Sequence, residues 1–339
     1  MPDARPDIWQ VLDGQARLLL QRNEAQEGRG ELAGLLKTTI LYQPEGGQGV
    51  EAMEVTLPFS AAPDLPRLTR RGTVHVVPRV LSVDVHLLNP RKVLVRVGYC
   101  LDLEAFEPQN RSLAADPEQW GICQKTGQLR TLQTVYVQEK AFTYQDTLAL
   151  PAGRPDAVEV LRTQAKCTCT EARVIGTKLV FKGEAALQLL CRGEDGGLFA
   201  EEFHLPYSQI MDAGEESEEG LCHMDLVFTD VTCTPVEGDR RTFQVTLALQ
   251  AQGVLRREVT APILTDLYST THTLETTEAM YPICRLLDQG EAQESARETV
   301  ETSSVPSRLL DVQVRLGRLT QNLEGEDRVL TQEAELSVL

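Results

Sequence analysis

The chain has 339 residues, 42% of them apolar and 24% charged, the balance of a folded globular protein and not of a disordered one. One hydrophobic core rarely serves so long a chain, so two or more domains are expected. Fifty acidic against 33 basic residues give a net charge of -17, which repels a phosphate backbone and excludes nucleic acid as a partner. The first ten residues, MPDARPDIWQ, lack the apolar core of a signal peptide. No window approaches the roughly 20 apolar residues that span a bilayer, so no transmembrane segment is expected and synthesis is expected in the cytosol.

In chain order, the first apolar segment is ARPDIWQVL at 4–12. Alternation follows in Leu36, Thr38, Ile40 and Tyr42, then a glycine-rich turn, PEGGQG at 44–49, and the step Leu57-Pro58-Phe59-Ser60. Val83, Val85 and Leu87 alternate next, Asn89-Pro90 marks a turn, and Val93, Val95, Val97 and Tyr99 alternate again. The same order then returns. GRPDAVEVL at 153–161 places Pro155 149 residues after Pro6, Gly183 stands 149 after Gly34, and Leu205-Pro206-Tyr207-Ser208 stands 148 after the first such step. Leu187, Leu189 and Cys191, then Met224, Leu226 and Phe228, then Phe243, Val245, Leu247 and Leu249 alternate in their turn. A third copy opens with VPSRLLDVQV at 305–314, and RVLTQEAELSVL at 328–339 lies over LVFKGEAALQLL at 179–190. Only about 37 residues of this copy are present, so it is expected either to be cut or to pack as extra strands on the second unit.

Period-two alternation buries one face of a strand and wets the other, as in antiparallel sheets. The expected fold is mainly β, with repeated antiparallel β-sandwich or open-barrel-like units. The divisions expected are a first unit at 1–100, an inter-unit region at 101–149, a second unit at 150–270, an acidic linker at 271–302 and a partial third unit at 303–339. The first unit lacks the strand that LQTVYVQEKAFTYQD, at 132–146, supplies before the second. The glutamate-rich run AGEESEEG at 213–220 reads as a solvated loop.

No phosphate loop, dinucleotide fingerprint, nucleophile elbow or zinc-protease motif is present. Eight cysteines without an export signal read as reduced thiols, and the Cys167-x-Cys169 pair has no partner set to complete a zinc site. Asp84 and His86 share a strand face and are the one pair that offers a general base; an exposed strand pair is the simpler account. His75 and His223 are repeat counterparts only if the lag of 148 persists to them. No catalytic residue, metal site or cofactor is therefore expected. The repeated anchors Arg5, Pro6, Asp7, Pro58, Arg154, Pro155, Asp156, Pro206 and Tyr207 are the residues singled out. Proline fixes φ and aspartate binds nearby backbone, so Arg-Pro-Asp before an apolar run reads first as a turn into a strand and second as a recognition point.

The Pro-Asp segment opening a unit, the strands AGLLKTTILY and VFKGEAALQLLC, the LPFS and LPYS steps and LTDLYST at 264–270 together resemble the SPOCS domain family of sporulation and spore coat proteins. The resemblance covers most of 1–100 and 150–270 and part of 303–339. It implies a non-enzymatic structural role, with other spore coat or envelope proteins as partners, the ATP-driven coat scaffold among them. It also implies synthesis in the mother-cell cytoplasm and a place at the forespore surface or in the coat. The glycan-binding LysM module that often accompanies the domain is absent from this sequence, which puts direct cell-wall binding in question. The alternative is a carbohydrate-binding β protein, for which Trp9 and Trp120 are the only tryptophan platforms. Unpaired edge strands offer a route to homo-oligomers.

Overall fold

The computed structural model describes residues 5–47, 49–110, 112–113, 121–214, 220–278, 280, 282–287, 295–297, 299, 309–325 and 327–339. The run at 215–219, Trp120 and much of 271–302 lie outside them. Among the described residues the chain is all β. Its strands are β1 Ile8–Gln26, β2 Arg29–Pro44, β3 Glu51–Ala61, β4 Thr73–Asn89, β5 Lys92–Phe106, β6 Ile122–Ala149, β7 Ala157–Ile175 and β8 Lys178–Gly193. They continue as β9 Leu198–Asp212, β10 Leu221–Pro235, β11 Thr242–Ser269, β12 Val312–Leu316, β13 Thr320–Glu324, β14 Asp327–Thr331 and β15 Ala334–Val338.

These strands form several small antiparallel sheets and, among the described residues, no closed barrel. β1-β2-β3 and β7-β8-β9 are three-stranded, β10-β11-β6 is three-stranded, and β4-β5, β12-β15 and β13-β14 are pairs. Alternation explains the layers. Ala185, Leu187, Leu189 and Cys191 on one face of β8 meet Phe243, Val245, Leu247 and Leu249 on one face of β11, and all eight are buried in one core. Burying a side chain of this size is worth about 1.5–3 kcal/mol, so this layer is the main source of stability in the second half. In the first half Leu20 and Leu32 pack on Val74 and Val76, and Leu18, Leu36 and Phe59 pack on Val80 and Val97.

The sheets β1-β2-β3 and β7-β8-β9 share their irregularities as well as their strand order. β1 slips register against β2 at Ile8/Gln10, Val11/Asp13 and Leu20/Arg22, and β7 slips against β8 at Ala157/Glu159, Val160/Arg162 and Cys169/Glu171. Each slip in β7 falls 149 residues after its counterpart. β4 and β10 slip at Val80/Ser82 and Phe228/Asp230, 148 apart. A bulge bends a strand and sets where it points next, so matched bulges give the two sheets the same curvature.

The segment read as inter-unit is largely strand. β5 runs on to Phe106, and β6 starts at Ile122, ten residues before the expected segment, pairing with β11 from Thr242↔Ala149 to Ser269↔Ile122. Much of its outer half is polar or exposed on both faces, so backbone pairing with β11 holds it there and alternation does not reveal it.

The halves touch through buried and half-buried polar contacts. Asn23 on β1 donates to the Val74 carbonyl at 2.9 Å and to Glu139 on β6 at 2.5 Å, and accepts from Gln250 on β11 at 3.2 Å. Gln252, fully buried on β11, accepts from the Val76 amide at 2.6 Å and donates to the Val76 carbonyl at 2.9 Å. Its carboxamide thus serves β4 as a one-residue strand.

Candidate functional site

The Arg-Pro-Asp segments lie where a strand begins beside the tip of a hairpin. Asp7 Oδ1 accepts from Arg91 at 2.7 Å, and the Ile8 amide donates to the Pro90 carbonyl at 2.7 Å. In the second half Asp156 Oδ1 accepts from Arg241 at 3.0 Å, and the Ala157 amide donates to the Arg240 carbonyl at 2.9 Å. Arg241 also donates to the carbonyls of Arg154 at 2.7 Å and Pro151 at 2.9 Å. Arg5 pairs with Glu51 at 3.3 Å, and Arg154 with Glu201 at 2.6 Å. Both motifs therefore clamp the start of β1 or β7 to the β4–β5 or β10–β11 tip, with each proline between the paired arginine and aspartate.

Pro58 and Pro206 are exposed on β3 and β9, the outer strands of their three-stranded sheets in the pairing order, where a missing amide donor is tolerated. The next residue points inward. Phe59 is buried over Gly34 and Tyr207 over Gly183, each directly opposite its glycine across the strand pair. Tyr207 Oη donates to the Thr168 carbonyl at 2.8 Å. Burial drives its phenol well above the ordinary range, helped by the neighbouring Cys167 and Cys169. The same burial pushes the Cys167 thiol up to about 11, so this pair packs as small apolar side chains and is not a thiolate site. The described cysteines, all eight, are unbridged.

His75 and His223, 148 residues apart, border one open recess of about 540 Å³ with Arg79, Asp102, Glu104, Asp225 and Arg256. His223 Nε2 lies 3.0 Å from Asp225, and that bond raises its pKa. His75 is nearly inaccessible, edge-on to Phe106, with no hydrogen bond at Nε2 and Glu139 4.0 Å away. Burial lowers its pKa to about 4, keeping the ring neutral. The sequence pointed to these two only through the lag. Asp84 and His86 are exposed on β4, line none of the principal recesses, and share no hydrogen bond among the described residues. A second recess, of about 360 Å³, runs between the halves along Arg17, Lys37, Glu54 and Glu159, its charges of both signs.

Residues 7–88 match the family described as SipL, SPOCS domain. No curated protein and no solved structure matches the chain. The SPOCS match spans β1 through nearly all of β4, and so contains Asp7 but not its clamp partners Pro90 and Arg91, together with the Gly34–Phe59 contact and His75.

Among the described residues no group of three or more His, Cys, Asp or Glu is placed to hold a metal ion, and no helix is long and apolar enough to cross a membrane. The residues singled out in sequence are brought together in pairs, Asp7 with the β4–β5 tip and Asp156 with the β10–β11 tip, and not into one site.

Proposed function

We propose that this chain is a non-enzymatic assembly protein of the spore coat or envelope, built from SPOCS-like units at 1–100 and 150–270 with part of a third at 303–339. The observation that carries the reading is the SPOCS match over residues 7–88. The repetition is supported by bulges recurring 149 residues apart in β1 and β7. In each unit the three-stranded sheet lies against a second sheet in the manner of a sandwich, with β6 enlarging the second sheet of unit two. Between β5 and β6 the region 101–149 joins unit one to unit two, and the acidic linker 271–302 joins unit two to the partial third.

Its partners are other coat proteins, or copies of itself through the outer strands β3 and β9. A fluorescent fusion of the full chain in a sporulating host is expected to collect at the forespore surface and to retain coat proteins on affinity capture. A signal spread evenly through the mother cell, with no coat protein captured, would sink the proposal.

A further inference from the structure

The terminal hairpin repeats the register of the first two. Gly14↔Ile40, Thr163↔Leu189 and Val312↔Val338 are pairs at successive steps of 149, as are Arg22↔Ala33, Glu171↔Lys182 and Thr320↔Thr331. In the first two hairpins the register slips once between these pairs, and in the third the ladder breaks at the same place, between Leu316 and Thr320. Two equivalent sets of side chains then meet in space. Asp13, Arg162 and Asp311 stand 149 residues apart, and Arg162 donates to Asp13 through Nη1 and to Asp311 through Nη2 at 2.5 Å. Arg162 and Asp311 are deeply buried and Asp13 is partly so, with side-chain exposures of 2%, 4% and 11%. Gln164 and Gln313, themselves equivalent, both donate to Asp311, at 3.0 and 2.8 Å. Beside them Leu41, Leu190 and Leu339, again 149 apart, share one apolar cluster with Leu161 and Leu310.

The contacts run in one sense around this point. Arg17 of the first copy donates to the Thr163 carbonyl of the second, and Arg315 of the third donates to the Gly14 carbonyl of the first, at 3.0 Å. Lys166 holds the corresponding place in the second copy. Equivalent residues meeting at one point, with two of the three positions reaching the neighbouring copy in the same direction, is the pattern of a three-fold arrangement. The space among Arg162, Gln164, Leu190, Leu310 and Asp311 has no room for water, so charges there act at low dielectric. Three aspartates or three arginines at that point would repel, and removing one partner of a buried pair strands the other.

We propose that the surface where the first two copies meet is a docking site for a third copy's hairpin, filled here by the base of that hairpin at 309–317 and 334–339, and that Arg162 selects it through the carboxylate at position 311. The single arginine in the arrangement fixes which copy sits where. This rests on reading the chain as repeated units and is independent of where in the cell they work.

The test uses the full chain in three versions, D311R, R162D and R162D/D311R. Amide exchange is followed across 312–316 and 334–338, with the β8–β11 core as an internal control. Each single variant is expected to speed exchange in the terminal hairpin by about tenfold or more while the core stays protected. The double variant again sets one guanidinium between two carboxylates and is expected to restore protection to within about threefold of the parent. If the double variant exchanges as fast as the singles, or the singles do not release the hairpin, the proposal falls. Should a single variant fail to fold, D311N removes the charge at nearly constant shape and must still release the hairpin. A coat-localisation failure with these outcomes intact would remove the proposed function and leave the docking site standing.

Discussion

Tyr207 lies across Gly183, its partner on the neighbouring strand, and reaches over it to the Thr168 carbonyl at 2.8 Å. A Cβ at Gly183 would overlap that carbonyl oxygen and sit 2.6 Å from Tyr207 Oη. A backbone oxygen on a paired strand cannot swing away, so Gly183→Ala should cost roughly 1–3 kcal/mol by forcing the strands apart. Tyr207→Phe removes only the hydrogen bond, about 1 kcal/mol. Thermal melts of both variants should therefore rank glycine above tyrosine, and Gly34→Ala, where the Leu19 carbonyl and the Phe59 ring crowd the same place, should behave like Gly183→Ala. A Gly183→Ala protein that melts with the parent would refute this.

The buried carboxamide of Gln252 satisfies both backbone groups of Val76. Gln252→Leu keeps the volume and leaves a buried N–H and C=O unpaired, at roughly 1–3 kcal/mol. The Val76 amide should lose exchange protection before the β8–β11 core does. Unchanged protection at Val76 would mean that the strand finds another donor and acceptor.

Which parts of this were legible in sequence follows from what alternation encodes. Phe243, Val245, Leu247 and Leu249 announced their strand because one face is wholly apolar, whereas the recurrence of Gly34 and Gly183 marked a repeat but not the crowded crossing at which each sits. Gln252, Asn23 and Arg162 announced nothing. A polar residue on an inward face is readable only when its partner is known, and these partners lie 51 to 227 residues away. The outer half of β6 escaped for a different reason: its side chains are wet on both faces, so nothing but the backbone ladder to β11 marks it as strand.

Arg241 ties the β10–β11 tip to the start of β7 through Asp156 and the carbonyls of Arg154 and Pro151. Arg241→Ala should cost roughly 1–2 kcal/mol, since several acceptors lose a charged donor at once. Arg91→Ala, at a more exposed tip paired with Asp7, should cost under about 1 kcal/mol. If these segments are architectural, Arg241→Ala lowers the melting temperature and leaves partner capture unchanged. Lost capture at an unchanged melting temperature would assign them to recognition instead.

His75 gives the fold a pH dependence whose sign can be worked out. Burial lowers its folded pKa to about 4 from an ordinary 6.5, so between those values the unfolded chain takes up a proton that the folded one refuses. Its contribution is present above pH 6.5 and is lost as pH falls toward 4. Glu139, 4.0 Å away, works the other way: burial raises its pKa, so it favours the folded state as pH falls. Comparing the parent with His75→Phe isolates the histidine, because the ring stays packed against Phe106 and only the titration goes. Melting temperatures from pH 7 to pH 4 should fall more steeply in the parent. Parallel curves would show that Nε2 reaches solvent.

The cysteines should sort by reactivity as burial dictates. The thiolate is the reactive form, and burial pushes Cys191 up to about 12 and Cys233 up to about 11, leaving almost none ionised near neutral pH. Cys191 is also fully enclosed in the β8–β11 core, so reagent reaches it only after the sheets part. Cys123 at the start of β6 and Cys284 beyond β11 are exposed. Brief treatment of the native protein with an alkylating reagent at pH 7.5, followed by peptide mass analysis, should find the label on Cys123 and Cys284 first. Cys191 should be labelled only at the rate of global unfolding, accelerating with denaturant as the whole fold does. Early labelling of Cys191 without denaturant would mean that the β8–β11 layer opens locally and is not the stable centre of this half.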